Sequence, residues 1–221
     1  MLVLGLGAIG ESVARLCEAY GCTVLATRRS AAPGEAPPPH CAELHPPSAL
    51  HELLPRADYV VISTPGSAET AELIGAKELE LMKSSSVLVN VSRKMRLLPR
   101  VICAAFPKGL GCAVQTFQRQ SLRAGGSTVD WDALTEALGA ESIAACYSDV
   151  APQEPLPDDH PLWSVPRLFL TPHSSGNPDG AVPGAGTPRY DAAVNAQFCA
   201  QLRRYLAGEE VFNGIDNALG Y

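Results

Sequence analysis

The sequence predicts an α/β protein built on a doubly wound parallel sheet. Short apolar segments alternate with amphipathic helical segments along the chain, and a glycine-rich turn joins the first strand to the first helix. The chain has 221 residues, of which 46% are hydrophobic and 18% charged. That composition is typical of a packed core and excludes a disordered chain.

Each predicted element rests on its hydrophobic pattern. The chain begins with an apolar strand at 2–4, and a helix follows in which Ile9, Val13, Leu16 and Tyr20 share one face until Gly21 ends it. The next predictions, in order, are a strand at 22–26, a proline-rich loop at 30–47, a short helix at 49–54, a strand at 59–63, a helix at 76–82 and a strand at 87–91. They are followed by a helix at 130–138, strands at 143–147 and 168–170, and a final amphipathic helix at 190–206.

The charge is distributed unevenly. The chain has 17 Lys and Arg against 23 Asp and Glu, a formal net charge of -6, which argues against a nucleic-acid partner. Residues 94–124 nevertheless carry only positive charges, so this stretch is predicted to be a basic insert in the domain. Seven scattered cysteines without a Cys-x-x-Cys pair favour a reducing compartment, and neither a signal peptide nor a membrane span is predicted. We therefore expect a cytoplasmic protein.

The turn Gly5-Leu-Gly7-Ala-Ile-Gly10 has the spacing G-x-G-x-x-G. It follows an apolar strand, opens an amphipathic helix and is followed by a second strand, which is the context that a dinucleotide-binding motif requires. The phosphates of a dinucleotide would then lie at the helix N-terminus. The sequence therefore predicts a Rossmann-type NAD(P)-binding domain, and the alternative is a glycine turn with a purely structural role.

The residues after the second strand bear on the choice of cofactor. NAD sites normally place a carboxylate there to hold the ribose 2′-hydroxyl, whereas this chain has Thr27-Arg28-Arg29-Ser30. Guanidinium groups can pair with a 2′-phosphate through charge-assisted hydrogen bonds. NADP(H) is therefore predicted over NAD(H). The alternative is that these arginines form a solvated basic turn without a ligand.

Three residues suited to acid-base and anion chemistry follow predicted strands. Arg93, Glu154 and His173 would meet at the carboxyl edge of the sheet, where open α/β sheets bind their ligands. Arginine can clamp a carboxylate, and histidine can exchange a proton near neutral pH. Together with a nicotinamide, these groups could reduce a 2-oxo acid by hydride transfer.

With these motifs the sequence resembles the D-isomer-specific 2-hydroxyacid dehydrogenases. The matching segments are residues 5–10 (GLGAIG), 57–61 (ADYVV), 69–70 (ET), 81–83 (LMK), 89–93 (VNVSR), 129–134 (VDWDAL), 149–150 (DV), 154–157 (EPLP), 160–163 (HPLW) and 171–173 (TPH). They cover nearly the whole chain in order. The arginines after the second strand make it look most like the NADP-dependent glyoxylate/hydroxypyruvate reductase branch.

The resemblance implies a role for each site residue. Arg93 would bind and polarise the substrate, His173 would be the general acid and base, Glu154 would be its carboxylate partner, and Asp149 would face the nicotinamide carboxamide. The cofactor-binding set that it implies is Gly5, Gly7, Ala8, Ile9, Gly10, Arg28, Arg29, Ser30, Thr64, Pro65, Val91, Ser92, Asp149 and Ser175. It further implies a small 2-oxo or 2-hydroxy acid substrate such as glyoxylate or hydroxypyruvate, and a homodimer.

The chain departs from the family pattern in two places. The family builds its substrate cleft with a second domain that precedes this one, and we expect that N-terminal substrate domain to be missing here. The basic insert also begins directly after Arg93, where the family has a glycine. We therefore predict a nucleotide-binding domain at 1–173 that contains the insert, followed at 174–221 by a Gly/Pro loop and a helix that would pack on the missing domain.

These departures are predicted to impair the dehydrogenase activity of the chain as it stands, and they leave two alternatives. The chain could be a non-catalytic NAD(P)-binding regulatory or scaffold protein, or a truncated product without stable function. A zinc site at His40, Cys41 and His45 is disfavoured, because a proline-rich loop does not preset a tetrahedral geometry, and no metal is predicted.

Overall fold

A computed structural model describes residues 1–32, 34–92, 127–175 and 188–209, with the side chains of 188–195 excepted. Arg93 and the predicted insert at 94–124 lie outside the described residues, as does most of the predicted Gly/Pro loop. The described part of the chain confirms the predicted fold, because it forms one seven-stranded parallel sheet with helices on both faces. It contains no helix long and apolar enough to cross a membrane.

Apart from one added strand, the elements follow the predicted order. They are β1 (Leu2–Leu4), α1 (Ala8–Ala19), β2 (Leu25–Thr27), β3 (Glu43–His45), α2 (Leu50–Leu53), β4 (Tyr59–Ile62), α3 (Ala76–Leu81), β5 (Val87–Asn90), α4 (Trp131–Gly139), β6 (Ala145–Ser148), β7 (Leu168–Leu170) and α5 (Pro188–Leu206). Single 3₁₀ turns flank α2, at Pro47–Ala49 and Leu54–Arg56, and another lies at Pro161–Ser164. Gly21 ends α1 with φ +81, as predicted.

The strands lie in the order β3-β2-β1-β4-β5-β6-β7. Since β1 is followed in sequence by β2 on one side and paired with β4 on the other, the order of the strands reverses between β1 and β4. Their last residues form one row across the sheet, which is His45, Thr27, Leu4, Ile62, Asn90, Ser148 and Leu170. The residues directly beyond this row therefore share the edge where a doubly wound sheet binds its ligand.

The predicted loop at 30–47 is wrong for three residues, because Glu43–His45 forms the edge strand β3. Leu44 pairs with Ala26 of β2 and is only 8% exposed. So short a segment has no periodicity of its own, and its extended conformation depends on pairing with β2. The strand predicted at 22–26 is observed at Leu25–Thr27, where β2 pairs with β1 on one side and with β3 on the other.

The core has two layers, one on each face of the sheet. Because side chains alternate along a strand, Leu2 and Leu4 of β1 face one layer, with Leu79 of α3 and Leu134 of α4. Val3 faces the other layer, which contains Ala14 of α1. All of these side chains are at most 2% exposed. Burial on both faces fixes the strands and thereby the positions of the residues at their carboxyl ends.

Candidate functional site

The glycine turn lies at the reversal between β1 and β4, as the motif predicts. The N–H groups of Gly5 and Leu6 both donate to the carbonyl of Thr27, at 3.1 and 2.8 Å, and tie the turn to the end of β2. Gly5 has φ +91, a conformation that side-chain-bearing residues rarely adopt. A Cβ on Gly10 would lie 2.3 Å from the Gly5 carbonyl oxygen, so only glycine allows α1 to pack this closely.

The N-terminus of α1 can receive an anion. Gly7 is the N-cap and offers no side-chain hydrogen bond, and a Cβ built there would meet nothing within 4 Å. The next bond along the helix is from Glu11 N–H to the Gly7 carbonyl, at 2.8 Å. By helix geometry, the N–H groups of Ala8, Ile9 and Gly10 have no intrahelical acceptor and carry the positive end of the helix dipole. Open space before free N–H groups fits the pyrophosphate of a dinucleotide.

The basic residues after β2 occupy the predicted position, but they are paired. Nη2 of Arg28 donates to Oε1 of Glu35, and Arg29 Nη1 lies 3.9 Å from Glu69 Oε2. Ser30 is exposed beside them. The sequence predicted guanidinium groups facing the cofactor, and it did not indicate that a loop carboxylate would hold the first of them.

Two buried polar atoms mark the ends of β4 and β5. Oγ1 of Thr64 and Nδ2 of Asn90 are buried, and neither has a hydrogen-bond partner in the described part of the chain. Since buried polar groups are almost always satisfied, a group outside the described protein atoms is expected at this edge. The orphaned atoms therefore fit a site that a polar cofactor completes. Pro65 is exposed directly after Thr64.

The chain leaves β5 through a buried hydroxyl network. Ser92 is 3% exposed, and its hydroxyl donates to Asn90 Oδ1 at 2.6 Å and lies 2.6 Å from Thr128 Oγ1. Ser92 N–H also donates to Asn90 Oδ1, at 3.2 Å. These hydrogen bonds link the end of β5 to Thr128 directly before Arg93. The cofactor-binding roles of Val91 and Ser92 stay predictions.

His173 and Glu154 come together, although 19 residues separate them. Nδ1 of His173 lies 3.0 Å from Oε2 of Glu154, whose Oε1 accepts the Ala151 N–H at 3.2 Å. The histidine side chain is 45% exposed and can meet a ligand from solvent. With Nδ1 held by the carboxylate, Nε2 is the ring atom that can give or take a proton.

Asp149 organises the segment that carries the histidine. It is 5% exposed, and its Oδ1 accepts the Thr171 hydroxyl at 2.6 Å and the Ser174 N–H at 2.8 Å, while Oδ2 accepts the Ser175 N–H at 2.9 Å. Burial raises the pKa of Asp149, but the hydrogen bonds from Ser175, Thr171 and Ser174 outweigh burial and hold it below its ordinary value. The carboxylate thus stays ionised and fixes the loop on both sides of His173.

This arrangement bears on two predicted roles. Asp149 was expected to face the nicotinamide carboxamide, and Ser175 to bind the cofactor. Both oxygens of Asp149 accept hydrogen bonds from the loop that includes Ser175, and the two cofactor contacts stay predictions. The sequence did not single out Thr171 and Ser174 as supports of the site. The one available signal was the recurrence of hydroxyl residues around His173, because short hydroxyl side chains and their N–H groups commonly satisfy a buried carboxylate.

Two histidines of the predicted proline-rich loop contact carboxylates. Nδ1 of His40 lies 2.5 Å from Glu18 Oε2, and Nε2 of His45 lies 2.8 Å from Glu43 Oε2. In the described ranges no group of three His, Cys, Asp or Glu residues is placed to hold a metal ion.

The fold and the site together define a class of protein. The strand order reverses at a glycine turn, and an exposed helix N-terminus and a His-Glu pair lie at the same edge, which is the arrangement of a dinucleotide-binding domain. A family model described as "D-isomer specific 2-hydroxyacid dehydrogenase, NAD binding domain" matches residues 1–109 and 123–175. The chain belongs to this family, and the predicted resemblance is confirmed.

Individual relatives agree with the family assignment. A glyoxylate reductase of Thermococcus gammatolerans is 32% identical over 182 residues, which are 82% of this chain and 43% of that protein. A glyoxylate/hydroxypyruvate reductase B of Pectobacterium atrosepticum is 33% identical over 175 residues, 77% of this chain and 42% of that protein. The chain therefore spans less than half the length of either relative.

A solved structure matches along the whole chain. The D-isomer specific 2-hydroxyacid dehydrogenase of Xanthobacter autotrophicus Py2, crystallised in complex with NADPH and MES, superposes with a TM-score of 0.71 at 27% identity. The match covers 100% of this chain and 72% of that one. The relation to the NAD-binding domain thus rests on both sequence and three-dimensional structure.

Proposed function

We propose that the chain is the nucleotide-binding part of an NADP(H)-preferring 2-hydroxyacid dehydrogenase of the glyoxylate/hydroxypyruvate reductase type. The observation that carries the proposal is the His173-Glu154 pair, which lies at the same sheet edge as the glycine turn, 3.0 Å from ring nitrogen to carboxylate. A domain that only binds a nucleotide has no need of an oriented histidine and carboxylate at that edge.

The cofactor would be held at the reversal between β1 and β4. Gly7 and the free N–H groups that begin α1 would take its pyrophosphate, and the orphaned Thr64 and Asn90 atoms would meet polar groups nearer the nicotinamide. When bound, the nicotinamide supplies a hydride to carbon 2 of the substrate.

His173 would handle the proton in this reaction. Its Nε2 would donate a proton to the carbonyl oxygen of a 2-oxo acid as that oxygen becomes a hydroxyl, and would take the proton back in the reverse direction. Glu154 would hold the ring through Nδ1 and balance the positive charge of the protonated imidazole. Arg93, which lies outside the described residues, is proposed to hold the substrate carboxylate.

The preference for NADP(H) is supported by two observations. Arg28 and Arg29 stand where NAD sites carry a carboxylate, and guanidinium groups complement a phosphate. The Xanthobacter relative was crystallised with NADPH. An Arg28→Asp variant is therefore expected to weaken NADPH binding far more than NADH binding, as measured by calorimetric titration.

The activity test follows the oxidation of NADPH at 340 nm with glyoxylate and with hydroxypyruvate. It compares the wild-type chain with His173→Asn, and we expect turnover to fall by roughly 100- to 10,000-fold in the variant. Binding of NADPH should raise the melting temperature of both proteins, since a ligand that binds only the native state stabilises it. The chain spans less than half the length of its relatives, so the same assay is run on a version that lacks residues 94–124 and carries the N-terminal domain of a relative. If this version binds NADPH and turns over neither substrate, the non-catalytic regulatory or scaffold role is favoured.

The quaternary structure belongs to the same proposal. A homodimer is proposed on family resemblance, and light scattering of the purified chain tests it. A monomer at assay concentration would contradict this part of the proposal and leave the chemistry of the site unaffected.

A further inference from the structure

We propose that Glu35 sets the preference between NADP(H) and NAD(H) by competing with the cofactor's 2′-phosphate for the guanidinium of Arg28. The inference rests on the proposed function, because it requires a nicotinamide dinucleotide bound at the glycine turn. Glu35 would act through Arg28, as a positioning residue that determines specificity.

The ion pair lies where the adenosine ribose is expected. Arg28 is the first residue beyond β2, and its N–H donates to the carbonyl of His45 at 3.0 Å, so that its backbone is part of the sheet edge. Its guanidinium reaches Glu35, and the two side chains are only 29% and 34% exposed. In a dinucleotide-binding fold this position contacts the ribose 2′ substituent. The Glu35 carboxylate thus occupies the donor that a 2′-phosphate would need.

Glu35 is held in place by its own loop. Oε2 accepts the Ala32 N–H at 3.0 Å, and the Glu35 N–H donates to the Ala32 carbonyl at 3.1 Å. Gly34 makes this turn possible with φ +77. The Ala32 hydrogen bond, partly opposed by desolvation and reinforced by Arg28, lowers the pKa of Glu35. The carboxylate is therefore ionised at neutral pH and already oriented toward Arg28.

The pairing uses only part of the guanidinium. Nε of Arg28 is buried and has no hydrogen-bond partner among the described residues, while Nη2 is taken by Glu35. A phosphate has more acceptor oxygens and more charge than a carboxylate and can use both donors, but it must first displace Glu35. The 2′-hydroxyl of NAD(H) carries no charge, and it does not need Arg28. Glu35 therefore weakens the binding of NADP(H) selectively.

The test is the Glu35→Gln variant of the full 221-residue chain. Dissociation constants for NADPH and NADH are measured by calorimetric titration, next to the wild type and to Glu136→Gln. Glu136 is an exposed residue of α4, the helix that precedes β6. Three strands, β1, β4 and β5, lie between β6 and β2 in the sheet. We expect Glu35→Gln to bind NADPH about tenfold more tightly, with NADH changed by less than about twofold. The Glu136→Gln control should match the wild type.

A second background shows whether the effect passes through Arg28. In Arg28→Gln, the added Glu35→Gln substitution should no longer improve NADPH binding by more than about twofold. A tenfold gain that persists in this background would overturn the competition in favour of simple repulsion between Glu35 and the phosphate. An unchanged ratio of NADPH to NADH affinity in Glu35→Gln alone would also overturn it. Wild-type protein that binds neither cofactor would instead refute the proposed function.

Discussion

Asp149→Asn tests whether a single buried carboxylate holds the segment that carries His173. In the wild type, Oδ1 accepts two hydrogen bonds and Oδ2 accepts one, from the Ser175 N–H at 2.9 Å. An asparagine keeps one acceptor oxygen but places an NH₂ group against a second N–H. At least one charge-assisted hydrogen bond is therefore lost, and a buried donor is left facing another donor.

The expected cost follows from that count. Hydrogen bonds to charged groups contribute about 1.5–3 kcal/mol, so the free energy of unfolding should fall by roughly that amount, measured by urea denaturation. Asp130→Asn is the matched control. Asp130 caps α4 by accepting from the N–H groups of Asp132 and Ala133, at 3.0 and 3.1 Å, and asparagine caps a helix about as well. The control should cost less than about 0.5 kcal/mol.

The pH dependence provides a second criterion. The native pKa of Asp149 lies below its ordinary value, so its stabilisation is fully present above the unfolded pKa of about 3.9 and is lost as pH falls through the lowered native pKa. The difference between the wild type and Asp149→Asn should therefore shrink below about pH 4. Equal losses in the two Asp→Asn variants, or a difference that does not change with pH, would refute the assigned role of Asp149.

Three further predictions concern separate parts of the molecule. Gly10→Ala places a Cβ 2.3 Å from the Gly5 carbonyl oxygen, so melting curves should show about 1–3 kcal/mol of destabilisation. Gly7→Ala is the control, because its Cβ would have no neighbour within 4 Å and should cost little. Equal losses in the two variants would contradict the packing argument. Hydrogen bonds from Arg56 and, to a lesser extent, His45 lower the pKa of Glu43 to about 2. These contacts of Glu43 stabilise the fold fully above about pH 4.5, and their contribution is lost as pH falls toward 2. Because the Glu43 side chain is 38% exposed, Glu43→Gln should cost at most about 1 kcal/mol at pH 7 in urea titrations, and only a small fraction of that at pH 2. In the assay of the proposed 2-oxo acid reduction, Glu154→Gln should lower turnover by roughly 10- to 100-fold, while Glu43→Gln leaves it unchanged. Equal activity in both variants would argue against an oriented histidine.

Much of the fold could be predicted because its signals are local. Apolar runs such as that at Tyr59–Ile62, the helical spacing of α1 and the glycines at 5–10 each report on a few neighbouring residues. Alternation of strands and helices then leaves few topologies, since parallel strands require crossover connections of one hand. The strand β3 was not predicted, because its three residues are extended only through their pairing with β2.

The chemistry of the site shows the same division between local and non-local information. The sequence by itself determined the domain type, the dinucleotide turn and the presence of Glu154 and His173, because motif residues carry those signals in short segments. Only the tertiary structure decided that Glu35 pairs with Arg28 and that Asp149 is committed to the histidine loop. Those contacts depend on how strand ends and loops meet at one edge of the sheet, and the hydroxyl residues around His173 do not by themselves indicate which carboxylate they contact.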